Sequence, residues 1–101
     1  MPLKIERSDQ SELDLLDIWD FVSDRDERAA DRLLQRFLGL LEQLASHPEM
    51  GRARPDLGEG IRSIPATDSY GIFYSFDTTH VRLLRVMHFA RDITAEAFEG
   101  E

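Results

Sequence analysis

The chain contains no cysteine, a single tryptophan, two tyrosines and four prolines in 101 residues. Without cysteine there is neither a disulfide framework nor thiolate chemistry. No run approaches the roughly 18 consecutive apolar residues that a membrane span requires. The opening MPLKIERSDQ lacks the apolar stretch of a secretory signal, and these absences together point to the cytosol, with no membrane partner. His47, His80 and His88 lack a metal-ligand spacing such as HxxxH, so no metal and no cofactor are expected. Gly51, Gly58 and Gly60 form neither a GxGxxG nor a Walker pattern, which argues against a phosphate cradle.

Charge is present in quantity but unevenly. Twenty acids against 12 bases give a net charge of −8. The first 49 residues hold six bases and twelve acids, and the last nine hold three acids. Met50 to Asp92 holds six arginines (Arg52, Arg54, Arg62, Arg82, Arg85 and Arg91) against five acids, a net of +1. The overall balance argues against non-specific binding to nucleic acid, which depends on neutralising phosphates. It favours a partner segment that is itself basic. A surface for a polyanion could lie only on the arginine-bearing segment. The length suits one domain, 1–101, with one core.

Along the chain, Leu3–Glu6 alternates apolar and polar and reads as a strand. Ser8 is placed to cap a helix over Asp9–Ser23, with Leu15, Ile18, Trp19 and Val22 as its buried face. Leu16 and Phe21 widen that face, and Asp14, Asp17, Asp20 and Asp24 fall outside it and are expected in solvent. Asp24 with Glu27 resembles a capping box for a second helix, Glu27–Ser46. There Ala30, Leu33, Leu34, Phe37, Leu41, Leu44 and Ala45 hold one stripe, interrupted only by the poor helix former Gly39. Pro48 ends it, and Pro48–Gly60 is a loop by composition. Three strands follow: Ile61–Ala66, Tyr70–Phe76 and His80–Phe89. Strict alternation sets Arg82 and His88 on one face of the last strand and Arg85 on the other. Asp92 is placed to cap a closing helical turn, Ile93–Phe98. The order β-α-α-β-β-β-(α) predicts an α+β two-layer domain, an α-helical hairpin packed on an antiparallel sheet.

The residues that carry chemistry form a signature. Asp14, Leu15, Ile18 and Trp19 give D-L-x-x-I-W. Pro48, Gly51, Arg52, Arg54, Pro55, Leu57, Gly58, Gly60, Arg62, Ser63 and Pro65 follow a glycine- and arginine-punctuated loop pattern. Tyr70, Ile72 and Tyr74 give Y-x-I-x-Y, and Leu84, Arg85, Val86, His88, Arg91 and Asp92 give L-R-V-x-H-x-x-R-D. In these motifs the chain resembles the ParE/RelE toxin superfamily of type II toxin–antitoxin systems, and within it the ParE-like branch.

That resemblance implies a small cytosolic toxin that inhibits DNA gyrase by protein binding and is neutralised by a cognate ParD-like antitoxin, as a homodimer or a toxin–antitoxin heterotetramer, without sequence-specific nucleic acid binding. Arg52, Arg54, Arg62, Arg82, Arg85, His88 and Arg91 are then target- or antitoxin-binding residues. The alternative is a RelE-like ribosome-dependent mRNA endoribonuclease, with Arg62, Arg85 and His88 as its catalytic set. Phe89 stands where many RNA-cutting relatives carry a polar aromatic, and the acidic Thr94–Glu101 departs from a basic tail. A third reading is a member that keeps antitoxin binding but has lost toxicity. Structural roles compete for the same residues: Arg62 and Arg85 as cross-strand ion pairs, Arg91–Asp92 as a local pair, His88 as a satisfied histidine. Trp19, Tyr70, Tyr74 and Phe76 read as core.

Overall fold

The computed structural model of the chain describes residues 1–99; positions 100–101 of the acidic end lie outside the described residues. Strand β1 spans Lys4–Arg7, helix α1 Asp9–Ser23 and helix α2 Glu27–Ser46. A 3-10 turn at Pro48–Met50 leads to β2 (Arg52–Ala53), β3 (Arg62–Pro65), β4 (Tyr70–Phe76) and β5 (His80–His88). A second 3-10 turn, Ala95–Phe98, closes the described chain. The sheet order is β1-β5-β4-β3-β2. The α+β two-layer architecture is as expected, with two additions. β1 joins β5 in parallel, Lys4 opposite His80, and the two-residue β2 forms inside the expected loop as an antiparallel edge on β3.

α2 supplies most of the helical side of the core. Phe37, Leu41 and Leu44 are 1%, 1% and 0% exposed and pack on Ile72, Tyr74, Val81, Leu83 and Val86 of the sheet. Each such side chain contributes about 1.5–3 kcal/mol by leaving water. Its N-cap is Asp26, whose carboxylate accepts from the N–H groups of Arg28 and Ala29. Asp24, the expected capping-box residue, is instead the C-terminal cap of α1. Pro65 lies beyond the end of β2, where the outer edge of β3 has no strand to bond.

The other sheet face carries a smaller cluster of Leu57, Ile61, Phe73, Leu84, Met87 and Phe98. Phe98 meets Phe73 with ring centroids 5.5 Å apart, which fastens the C-terminal turn to the sheet. Thr94, rather than Asp92, precedes that turn.

α1 seals the edge of β5 that β1 leaves open. β1 ends at Arg7 opposite Leu83. Ser8 then donates its N–H to Leu83 O at 3.0 Å and its hydroxyl to Leu84 O at 2.9 Å. The same hydroxyl oxygen accepts from Ser11 N–H at 3.0 Å as the N-cap of α1. Ser8→Ala removes a cap and strands a buried carbonyl together. It should lower the unfolding free energy by about 1–2 kcal/mol, read as a lower urea midpoint at unchanged slope.

Strict alternation fails on β5. Tyr74 pairs with Leu83 but Phe73 pairs with Arg85, so Leu84 is an extra, bulged residue. The bulge groups Val81, Leu83, Val86 and His88 on the helix-covered face and Arg82, Arg85 and Met87 on the other. Arg82 and His88, expected on one face, lie on opposite faces. The outer face of α1 differs as well: Leu16 and Phe21 are 56% and 60% exposed, and Trp19 is half-buried, donating its indole N–H to Asp31 at 3.0 Å. Among the described residues no helix is long and apolar enough to cross a membrane.

Candidate functional site

Arg85 and Asp14 form the strongest polar arrangement in the molecule. Arg85 Nε lies 2.8 Å from Asp14 Oδ2 and Nη2 lies 3.1 Å from Oδ1, a two-pronged match of guanidinium to carboxylate. Both residues are buried. Asp14 also accepts from Val86 N–H at 3.0 Å and from Gln10 Nε2 at 3.2 Å, while Arg85 Nη1 donates to Ala97 O at 3.0 Å. Asp14 was expected in solvent. It is drawn inward because β5 presents a free N–H and a guanidinium at the edge that α1 covers. The pair joins α1, β5 and the C-terminal turn.

Arg62 lies on the helix-covered face of β3, opposite Tyr74. Its Nη1 donates to Gly51 O at 2.7 Å and to Glu49 O at 3.3 Å, and its guanidinium sits 5.7 Å from the centre of the Phe76 ring. Beside it, the buried Tyr74 hydroxyl donates to Pro48 O at 2.7 Å and accepts from Gly51 N–H at 2.8 Å. Burial raises the Tyr74 pKa above its ordinary value near 10, an effect that the Gly51 hydrogen bond and the Arg62 charge oppose. Tyr74 and Arg62 thus fix the loop that carries Arg52 and Arg54.

Arg52 is exposed, opposite Ser63. Arg54 reaches Asp56 through Nε at 3.1 Å and Nη2 at 3.0 Å, and lies 6.0 Å from the centre of the Phe73 ring. The Arg54 hydrogen bond holds the Asp56 carboxyl below its usual pKa. Arg82 pairs with Glu6 at 3.3 Å.

His88 is exposed at the far end of β5. Its ring meets Tyr70 edge-on at 5.0 Å, and its Nδ1 accepts from Ala90 N–H at 3.0 Å. A hollow of about 200 Å³ beside it is lined by Asp14, Asp17, Ile18, Phe21, Tyr70 and Arg91 among others, and includes neither Arg62 nor Arg85. Phe89 is half-exposed and lies across Gly71, where an added Cβ would meet its ring at 2.8 Å.

Arg62, Arg85 and His88 therefore occupy three separate places. Arg62 pairs with Tyr74 and His88 with Tyr70, four residues along β4 and on opposite sides of it, about 13 Å apart along the strand direction alone. Arg85 lies on the other face, its donors committed to Asp14 and Ala97. Arg52 and Arg54 follow Gly51 on the segment that Tyr74 and Arg62 hold from the helix-covered side, while Arg54 itself lies against Phe73 on the other face. Sequence reading missed Asp14 and the Tyr74 lock. The spacing Ser8, Ser11, Asp14, small or acidic at every third residue from the N-cap of α1, was the signal for a polar stripe turned inward.

A second surface is apolar. Leu15, Leu16, Trp19 and Leu34, with Arg7 and Glu12 at the rim, line a groove of about 370 Å³ between α1 and α2. Among the described residues no group of three or more His, Asp or Glu is placed to hold a metal ion.

The family model described as the ParE toxin of type II toxin–antitoxin system, parDE, matches residues 5–93. The chain belongs to the ParE toxin family. Solved structures share the fold of this ParE-family chain at low identity. The chromosomal ParDE system from P. aeruginosa superposes with a TM-score of 0.71 at 17% identity, over 85% of this chain and 95% of that one. The RelBE2 toxin–antitoxin complex from Mycobacterium tuberculosis gives 0.58 at 23% identity, over 87% and 99%. The E. coli DinJ-YafQ complex gives 0.56 at 16% identity, over 89% and 96%. No curated protein matches the sequence.

Proposed function

We propose that this ParE-family toxin acts by docking onto DNA gyrase, not by cutting RNA, and that a ParD-like antitoxin holds it inactive in the cytosol. The dispersal of Arg62, Arg85 and His88 carries the reading. Metal-independent RNA cleavage needs a base, an acid and cations around one phosphate. Here one arginine is spent on a buried carboxylate, one on loop carbonyls, and the histidine stands alone with Tyr70. Arg52 and Arg54, by contrast, sit on a loop fixed from beneath by Tyr74 and Arg62. A fixed loop presenting arginines suits protein recognition, since little freedom is lost on binding.

The antitoxin's place is the groove of Leu15, Leu16, Trp19 and Leu34. An amphipathic helix with an apolar ridge fits such a groove, and the acidic α-hairpin around it favours Lys or Arg on the flanks.

Purified toxin should trap gyrase on cleaved DNA in a supercoiling assay, and the double variant Arg52→Ala/Arg54→Ala should need about tenfold more protein for the same effect. Translated mRNA should stay intact. Ribosome-dependent cleavage that disappears in His88→Ala would overturn the reading. Inactivity in both assays with antitoxin binding retained would mark a member that has lost toxicity.

A further inference from the structure

Gly39 sits in the middle of α2, on its solvent face, and a Cβ built there meets nothing within 4 Å. No packing inside the chain therefore requires glycine, although glycine is the poorest helix former after proline. Two further features lie on the same stripe, the first of them unfavourable in the isolated chain. Arg32 and Arg36 stand four apart as like charges. Neither Arg36 nor Glu42 has an ion-pair partner among the described residues; Arg36 donates through Nε to Ala66 O, which leaves its terminal nitrogens available.

The sequence around Gly39 is nearly a palindrome: Gln35-Arg36-Phe37-Leu38-Gly39-Leu40-Leu41-Glu42-Gln43. A two-fold axis beside Gly39, with two copies of α2 antiparallel, sets each position across from the one equally distant on the other side. Arg36 then faces Glu42 of the second copy, and Gln35 faces its Gln43. The axis repeats both pairs. Gln35, Arg36, Glu42 and Gln43 are all exposed, and the flanking Leu38 and Leu40 are half-buried, so the stripe is accessible and not wholly polar. Gln35, Gly39 and Gln43 form an i±4 ridge of the kind that interdigitates in helix packing. Glycine at the crossing point lets the two backbones approach closely.

We infer that the outer face of α2, centred on Gly39, is a self-complementary interface that pairs with the same face of a second copy of this chain. The charge arrangement selects this occupant. A wholly acidic partner segment would leave Glu42 opposed, and a basic one would leave Arg36 opposed, whereas the second copy satisfies both. A single helix pair buries less than the roughly 1,200 Å² typical of stable complexes, so the dimer belongs to the weak class, with a Kd on the order of 10–100 µM. The interface lies apart from the groove between α1 and α2 and does not depend on which target the toxin has.

Sedimentation velocity of the full-length chain across this concentration range tests it. Wild type should pass from monomer to dimer. R36E and E42R should each weaken association by roughly tenfold or more, because each places like charges opposite one another twice. An equimolar mixture of R36E and E42R should dimerise again, since one chain then offers two glutamates and the other two arginines. Thermal melts matching wild type show that these exposed changes leave the fold intact. A wild type that stays monomeric, single variants that associate like wild type, or a mixture that stays monomeric would each overturn the inference. Loss of binding to an antitoxin in R36E alone, without self-association, would assign the face to another protein instead.

Discussion

Asp14→Ala should lower the unfolding free energy by about 3–5 kcal/mol, the usual consequence of leaving one member of a buried ion pair unpartnered. A domain of this size has only about 5–15 kcal/mol in total. The variant leaves Arg85 6% exposed with no anion beside it, and it removes the acceptor of Val86 N–H. Both are buried groups that must then stay unsatisfied or open a path to water. Arg85→Met in the same chain should recover part of the loss, because removing both charges costs far less than removing one. By contrast, Arg7→Ala breaks an exposed pair at 3.6 Å and should cost less than about 1 kcal/mol. Urea unfolding of the three variants makes the comparison. A loss under about 1 kcal/mol for Asp14→Ala would mean that Arg85 is solvated by release of the C-terminal turn, whose Ala97 carbonyl it holds. The same result would weaken the case for Arg85 as a structural residue and return it to consideration as a ligand for phosphate.

The Asp14–Arg85 pair also marks where sequence reading stopped. Elements governed by local periodicity were legible: the bounds of α1 and α2, and the face of β4 that holds Tyr70, Ile72, Tyr74 and Phe76. Elements set by a distant neighbour were not. β2 is two residues long and exists because β3 offers it an edge. The bulge at Leu84 lies between Leu83 and Arg85, a stretch that alternates acceptably in either register, and only pairing with Phe73 and Tyr74 selects one. Asp14 lies beside Leu15 and three residues from Ser11, so it shares the inward stripe, yet an acid there reads as solvated until Arg85 and Val86 are known to face it. Asp24 and Asp26 both suit a helix start, and the choice rests on backbone geometry that neither residue type dictates. For the candidate site, the motif grouped Arg52, Arg54 and Arg62 along one loop pattern, whereas Arg52 and Arg62 stand in the paired strands β2 and β3. It gave no sign that Arg62 turns inward to bond Gly51 O.

Gly51→Ala should destabilise the protein by about 2–4 kcal/mol, through space and not through backbone conformation. Gly51 has φ −77° and ψ 158°, which any residue adopts. An added Cβ, however, would lie 2.5 Å from Tyr74 Oη, 2.7 Å from Tyr74 Cε1 and 3.0 Å from Ser63 O. Tyr74 is 0% exposed and has no room to retreat, so the loop must lift. Lifting breaks both bonds of the phenol oxygen and displaces Arg52 and Arg54. Tyr74→Phe isolates the hydrogen bonds from the crowding. It leaves Gly51 N–H and Pro48 O without their partner and should cost about 1–3 kcal/mol. The pH dependence of stability reports on this phenol. Because burial raises the Tyr74 pKa, the folded state keeps its proton where the unfolded chain loses it. Its contribution is fully present below the unfolded value near 10 and fades as pH rises from there through the folded pKa. Wild type should therefore lose stability more steeply than Tyr74→Phe above about pH 10. Urea midpoints measured between neutral and strongly alkaline pH give the two curves. Parallel curves would mean that the phenol ionises as freely in the fold as outside it, and that the loop carrying Arg52 and Arg54 is not held by a protonated Tyr74.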